Sequence, residues 1–152
     1  MIELTYAERV RTLKKLRRAL VEQRDSFYSY LVVLEDQEQA ILESDAEQLE
    51  RSVELERTIL RDILRVQRVI DPLASLYEKV GATEANEIEG LQRSLTRLKG
   101  QVLRRNFENR RLLTQHVEEL RAEVHRLRMP DVEAVFSAET RDSAAPLIDL
   151  TA

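Results

Sequence analysis

EQAILESDAEQLERSVELER, residues 38–57, reads as one uninterrupted helix except at Ser44-Asp45, where the apolar repeat stops and begins again. Upstream, Tyr6, Leu13, Leu20, Phe27, Leu34 and Ile41 recur every seven residues, and Leu16 and Tyr30 fill alternate positions of the same seam. This is the heptad stripe of a helix packed lengthwise against others. Gln23 and Gln37 take the remaining alternate positions, where a polar side chain lowers stability but sets register. Downstream, Leu49, Val53, Leu60, Ile63 and Ile70 restart the stripe. Ser44 with Glu47, or Asp45 with Gln48, has the three-residue spacing of a capping box. The chain is therefore predicted to reverse at Ser44-Asp45 and form a long helical hairpin.

From Ile59 to Val80 the apolar residues spread around more of the second helix, so this half is expected to be the more deeply buried. Asp71-Pro72 fits either an N-cap with a first-turn proline or a kink inside a continuing helix, of which the kink is preferred. KVGATEANEIEG then has the small and polar residues of a connection, with Thr83 or Asn86 as caps. A third helix is predicted from about Glu84 to Arg128. Its stripe comprises Ile88, Leu91, Leu95, Leu98, Val102, Asn106, Asn109, Leu113, Val117, Leu120, Val124 and Leu127, and Pro130 ends it.

Composition agrees with this reading. The 152 residues include only three Gly and three Pro, and 34% charged residues stand against 43% hydrophobic ones, as suits a single helical domain. The predicted fold class is all-α: an elongated antiparallel three-helix coiled-coil bundle over residues 1–129, followed by a flexible acidic tail over 130–152. The tail holds Asp131, Glu133, Glu139, Asp142 and Asp149 against Arg141 alone, so it carries the whole net charge of −4 and the body is neutral. Its few apolar residues, among them Val132, Val135 and Phe136, look too sparse to form a core, and it is expected to be mobile.

Charge also suggests an up-down-up course. Glu84, Glu87 and Glu89 would then lie beside the basic run Arg9 to Arg18, and Arg121, Arg126 and Arg128 beside Asp36, Glu38, Glu43 and Asp45.

Several functions fit poorly. The absence of cysteine removes disulfide frameworks, thiolate metal sites and thiol nucleophiles. His116 and His125 are nine residues apart, on different faces of a helix, and neither follows a Glu by three positions as a bundle metal site requires. No Gly-rich phosphate loop or serine elbow is present, so neither enzyme activity nor a cofactor is expected. The basic clusters RVRTLKKLRR and RRNFENRR are balanced by acids and lack a stacking platform of aromatic residues, which argues against nucleic acid. The charged start MIELTYAERVRTLKKLRRAL lacks the apolar core of a signal peptide, and no apolar run approaches the length of a membrane span. A cytoplasmic protein without membrane insertion is expected.

Taken in order, QAILESDAEQLERSVELERTIL, LKGQVLRRNFENRRLLTQHVEEL and AVFSAETRDSAAPLIDLTA resemble the FlgN family of flagellar type III export chaperones across nearly the whole chain. In that family a long first helix ends at a small residue followed by Asp, and a later helix carries two Asn three apart before paired leucines. Ser44-Asp45, Asn106, Asn109 and Leu112-Leu113 match these features. Ser44 stands where family members often have Gly, and Phe136 where they have a tyrosine contacting the export apparatus. The resemblance implies a chaperone that holds the disordered C-terminal segments of the hook–filament junction proteins FlgK and FlgL for delivery to the flagellar export apparatus.

Leu112, Leu113, Val117, Leu120, Val124 and Leu127 form an apolar edge on the late third helix that either completes the bundle core or receives an amphipathic client helix. Phe136 joins them as a partner-binding candidate. Asn106 and Asn109 serve either as register devices or as polar partner contacts. The alternative function is a structural coiled-coil adaptor that self-associates into a homo-oligomer through its heptads and has no export client.

Overall fold

The computed structural model describes residues 4–80, 85–116 and 129–142. Among these residues are the helices α1 (Tyr6–Leu42), α2 (Ala46–Val80), α3 (Ala85–Gln115) and α4 (Val132–Asp142). At about 1.5 Å per residue, the 37 residues of α1 span about 55 Å. The three long helices pack against one another as an all-α bundle, with α1 the shared partner of α2 and α3.

The reversal falls at the predicted place. Glu43 caps α1, Ser44 adopts a left-handed backbone with φ of 53°, and α2 begins two residues later at Ala46. The amide of Asp45 donates to the Ala40 carbonyl at 2.8 Å and that of Ser44 to Ile41 at 3.1 Å, which satisfies carbonyls left open at the end of α1. Asp45 then changes role: its Oδ1 accepts from the Gln48 amide at 3.1 Å and so caps α2. Asp45 with Gln48 is thus one of the cap pairings open in the sequence. At the other end of α1, Thr5 and Glu8 make a reciprocal capping box.

Cross-helix contacts fix the directions. Gln23 reaches Ile63 and Gln67, whereas Gln37 reaches Glu56, so α1 and α2 are antiparallel. Arg17 meets Glu87 at 2.5 Å and Arg105 meets Glu38 at 3.0 Å, so α3 runs parallel to α1 in the expected up-down-up order. The Glu87 pairing with the basic run is as the charges suggested. At the opposite end Arg105 supplies the guanidinium, while the expected donors Arg121, Arg126 and Arg128 lie outside the described residues.

Leu16, Leu20, Phe27, Tyr30 and Leu34 of α1 are fully buried with Ile63, Ile70, Leu95 and Leu98, which makes the heptad seam the core. On that stripe Leu13 is only partly buried and Tyr6 is 81% exposed. Tyr6 is the first residue of its helix, where a seam position has the fewest neighbours. The α2 helix continues through Pro72, which is exposed, rather than starting anew there. Asn86 lies inside α3 rather than capping it, and Thr83 lies outside the described residues. On α3 the buried positions Leu98, Val102, Asn106 and Asn109 step by four, four and three residues. This eleven-residue stutter offsets the drift of a strict heptad and keeps the stripe facing α1.

The C-terminal region differs from expectation. Residues 132–142 form α4, and Val132 and Phe136 are buried in the main core. Asp131 accepts from the Ala134 amide at 3.1 Å and caps the helix. The apolar residues are few, but the four-residue step from Val132 to Phe136 puts both on one helical face, with Val135 half-buried beside them. Two docked anchors suffice because the bundle, not the tail, supplies the rest of the core.

Candidate partner-binding site

The residues singled out in the sequence fall into three environments. Leu112 and Leu113 are half-buried against a second apolar cluster of Ala40, Ile41, Leu49 and Val53, at the hairpin tip, together with Met129. Here the end of α3 folds onto the turn that Ser44-Asp45 creates. Val117, Leu120, Val124 and Leu127, the rest of the expected edge, lie outside the described residues, as does the expected helix beyond residue 116.

Asn106 and Asn109 point into the bundle. Asn109 is fully buried, and its Nδ2 donates to the Leu34 carbonyl of α1 at 2.8 Å. That bond ties α3 to α1 in one register, the first of the two roles considered for it. Asn106 is 6% exposed, and among the described residues its Nδ2 has no acceptor.

Phe136, a partner-binding candidate in the sequence, packs against the bundle. It is 4% exposed, its ring centroid lies 6.2 Å from that of Phe27 at a tilt of 50°, and Lys99 Nζ sits 4.8 Å above it. Such a tilted aromatic pair under a cation is favourable in a partly desolvated site. In this arrangement the bundle itself holds Phe136. The approach to α4 is also held, because Arg110 Nη2 donates to the carbonyls of Met129 at 3.3 Å and Pro130 at 2.9 Å.

A groove of about 790 Å³ runs between α3 and α4. Leu103, Asn106 and Phe107 line its α3 wall with Arg104, Arg110 and Arg111, and Asp131, Glu133 and Phe136 line the other. Phe107 is 69% exposed there.

One buried group escaped the sequence reading. Glu56 of α2 is fully buried; its Oε1 accepts from Gln37 Nε2 at 2.7 Å and its Oε2 from the Tyr30 hydroxyl at 3.2 Å. Burial pushes its carboxyl above the usual range, opposed by these two hydrogen bonds and by the charges of Arg110 and Arg57. Burial and the neighbouring Glu56 likewise push the Tyr30 phenol up. The signal in the sequence was position alone, since Glu56 stands three residues after Val53 and four before Leu60, on the apolar stripe. Among the described residues, no group of three His, Cys, Asp or Glu side chains is placed to hold a metal ion, and no helix is long and apolar enough to cross a membrane.

These features define a helical-bundle protein whose distinctive surface is the end of α3 with α4. An "Uncharacterized protein" of Treponema pallidum (strain Nichols) is 39% identical over 145 residues, covering 95% of this chain and 92% of the relative. The chain belongs to the same family as this treponemal protein. No family model matches it, and neither does any solved structure.

Proposed function

We propose that this chain is a cytoplasmic export chaperone of the FlgN type, which binds the disordered C-terminal segments of FlgK and FlgL and presents them to the flagellar export apparatus. The observation that carries the reading is where the residues of the resemblance fall. Ser44-Asp45 makes the hairpin turn, Asn109 locks α3 to α1, and Leu112-Leu113 gather at the hairpin tip beside the approach to α4. Residues scattered over some 70 positions thus serve one construction, a rigid hairpin that presents the end of α3.

The physical chemistry of the task suits that construction. A disordered segment gains helix when its apolar face is covered, and a long helix with an unshared apolar edge offers the cover. Binding of this kind needs no nucleotide and no metal in the chaperone. The test is a pull-down of the full chain with the C-terminal segments of FlgK and FlgL. Saturable capture of either supports the reading; no capture of both, with a discrete homo-oligomer of the chain in solution, favours the coiled-coil adaptor instead.

A further inference from the structure

We infer that the basic band shared by α1 and α2 at the open end of the hairpin, with Tyr28 and Val32 at its edge, is a peripheral binding surface for anionic phospholipid headgroups. The inference goes beyond the chaperone reading, because it concerns Lys14, Lys15, Arg18, Arg61 and Arg68 rather than the end of α3.

Charges that balance along the sequence separate in the fold. From Arg9 to Arg24, α1 holds seven Lys or Arg and one carboxylate, Glu22, whereas from Asp25 to Glu50 the chain holds eight carboxylates and no Lys or Arg. Because α1 and α2 are antiparallel, the basic part of α1 lies beside the later part of α2, at the end of the rod away from Ser44-Asp45. One ion pair shows how the two helices share a surface there: Arg65 of α2 meets Glu22 of α1 at 3.1 Å. Lys15 and Arg18 stand seven and four residues before Glu22, and Arg61 and Arg68 four before and three after Arg65, so all four lie on the strips that this pair joins. They are exposed, as is Lys14. Arg65 also meets Asp62 at 3.9 Å, so two carboxylates of the band gather on one guanidinium. Lys14, Lys15, Arg18, Arg61 and Arg68 make no ion pair among the described residues.

The form of the band selects the ligand. It is the outer surface of two adjacent helices, and it lacks the interleaved aromatic residues on which bases stack. An anionic leaflet requires neither a groove nor a fixed register, and each Lys or Arg held near it adds to the attraction. The neighbouring residues suit the same surface. Lys14, Val21 and Tyr28 recur every seven residues on α1, as do Arg18, Asp25 and Val32, so Tyr28 and Val32 continue the basic strips. Tyr28 is 48% and Val32 57% exposed, while Asp25 between them and the cations is paired with Arg24 at 3.6 Å. An amphipathic ring and an aliphatic chain beside cations settle at the headgroup boundary. The carboxylates of the hairpin tip, Asp36, Glu43 and Glu47 among them, are repelled by the surface that attracts the other end. The rod therefore binds with its tip away from the bilayer, which leaves the end of α3 accessible.

The test is co-sedimentation of the full chain with vesicles of phosphatidylcholine alone and of phosphatidylcholine with about one-third phosphatidylglycerol, at low and high salt. The chain has no tryptophan, so Tyr28→Trp places a single fluorescent reporter at the edge of the band. The expected result is binding to the anionic vesicles only, weaker as salt rises, with a blue shift of the tryptophan emission on binding. Lys14→Glu/Arg18→Glu and Arg61→Glu/Arg68→Glu, one pair on each helix of the band, are each expected to weaken binding by about tenfold or more. Arg51→Glu/Arg111→Glu changes the net charge equally near the hairpin tip and is expected to leave binding within about twofold of wild type. All six side chains are exposed, and circular dichroism checks that each variant stays folded. No binding to the anionic vesicles at low salt overturns the inference, as does an equal loss in all three variants, which would trace binding to net charge alone. Tighter binding of a single-stranded RNA oligomer, lost in the same two band variants, assigns the band to nucleic acid and likewise overturns it. The assay contains no FlgK or FlgL, so its failure is distinct from failure of the chaperone reading.

Discussion

The Tyr30 hydroxyl on α1 donates to Glu56 Oε2 on α2 at 3.2 Å, both side chains being fully buried where the two helices of the hairpin face each other. The other oxygen of Glu56 accepts from Gln37, one heptad along α1 from Tyr30. One carboxylate thus spans two turns of the partner helix. A slipped register would leave it unpaired in an apolar seam, which is costly enough to specify the pairing.

Stability should therefore depend on pH through Glu56. Burial raises its folded-state pKa above the ordinary value of 4.5, so the folded chain binds the proton more tightly than the unfolded chain. The resulting contribution is fully present below pH 4.5 and is lost as pH rises through the folded-state value. Glu56→Gln keeps an acceptor for Gln37 and offers an amide to Tyr30. Denaturant unfolding from pH 4 to 8 is expected to show a wild-type stability that falls relative to Glu56→Gln as pH rises, with the variant within about 1 kcal/mol of wild type or above it at pH 7. Glu56→Leu leaves two buried donors without partners and is expected to cost about 2–4 kcal/mol.

The left-handed turn at Ser44 gives the opposite kind of substitution. A side chain at φ of 53° carries a steric cost that glycine lacks. Ser44→Gly, partly offset by the greater freedom of glycine in the unfolded chain, is expected to raise stability by about 0.5–1 kcal/mol in thermal or urea unfolding.

Removal of α4 should weaken the bundle without dissolving it. Truncation after Met129 exposes the surface covered by Val132 and Phe136. The loss is capped by the docking free energy of one short helix, about 1–2 kcal/mol, which lowers Tm by about 2–8 °C for a chain of this size. A cooperative transition should remain in calorimetry.

The hairpin was legible because its signals are local. The stripe breaks at Ser44-Asp45, a capping pair restarts it, and Gln23 and Gln37 stand at seam positions whatever surrounds them. Glu56 was not legible as a buried group: a carboxylate on so charged a helix resembles its solvated neighbours, and its partners Tyr30 and Gln37 come from another helix. Nor was α4, since one apolar face over two turns gives almost no periodic signal and its stability comes from Phe27 and Lys99, more than 30 positions away. The resemblance marked Phe136 as important, but only packing reveals that the bundle buries it.

Two substitutions on the expected apolar edge separate core from client contact. Leu113 is half-buried on the hairpin-tip cluster, so Leu113→Asp is expected to cost about 2–3 kcal/mol of folding free energy. Leu120→Asp, if the late third helix receives the client, is expected to weaken client binding at least tenfold, about 1.4 kcal/mol, with little change in Tm. Unfolding and affinity measured on the same proteins give both numbers. Large destabilisation by Leu120→Asp with affinity retained would assign that residue to the core.

The most direct measurement of the proposed role is a calorimetric titration of the full chain with the C-terminal segment of FlgK, performed at low and high salt and accompanied by circular dichroism of the mixture. The account predicts saturable binding at one segment per chain, an affinity that changes little with salt because apolar side chains carry it, and a gain of helix on mixing. No binding at either salt concentration, or binding that disappears at high salt without any gain of helix, would contradict it.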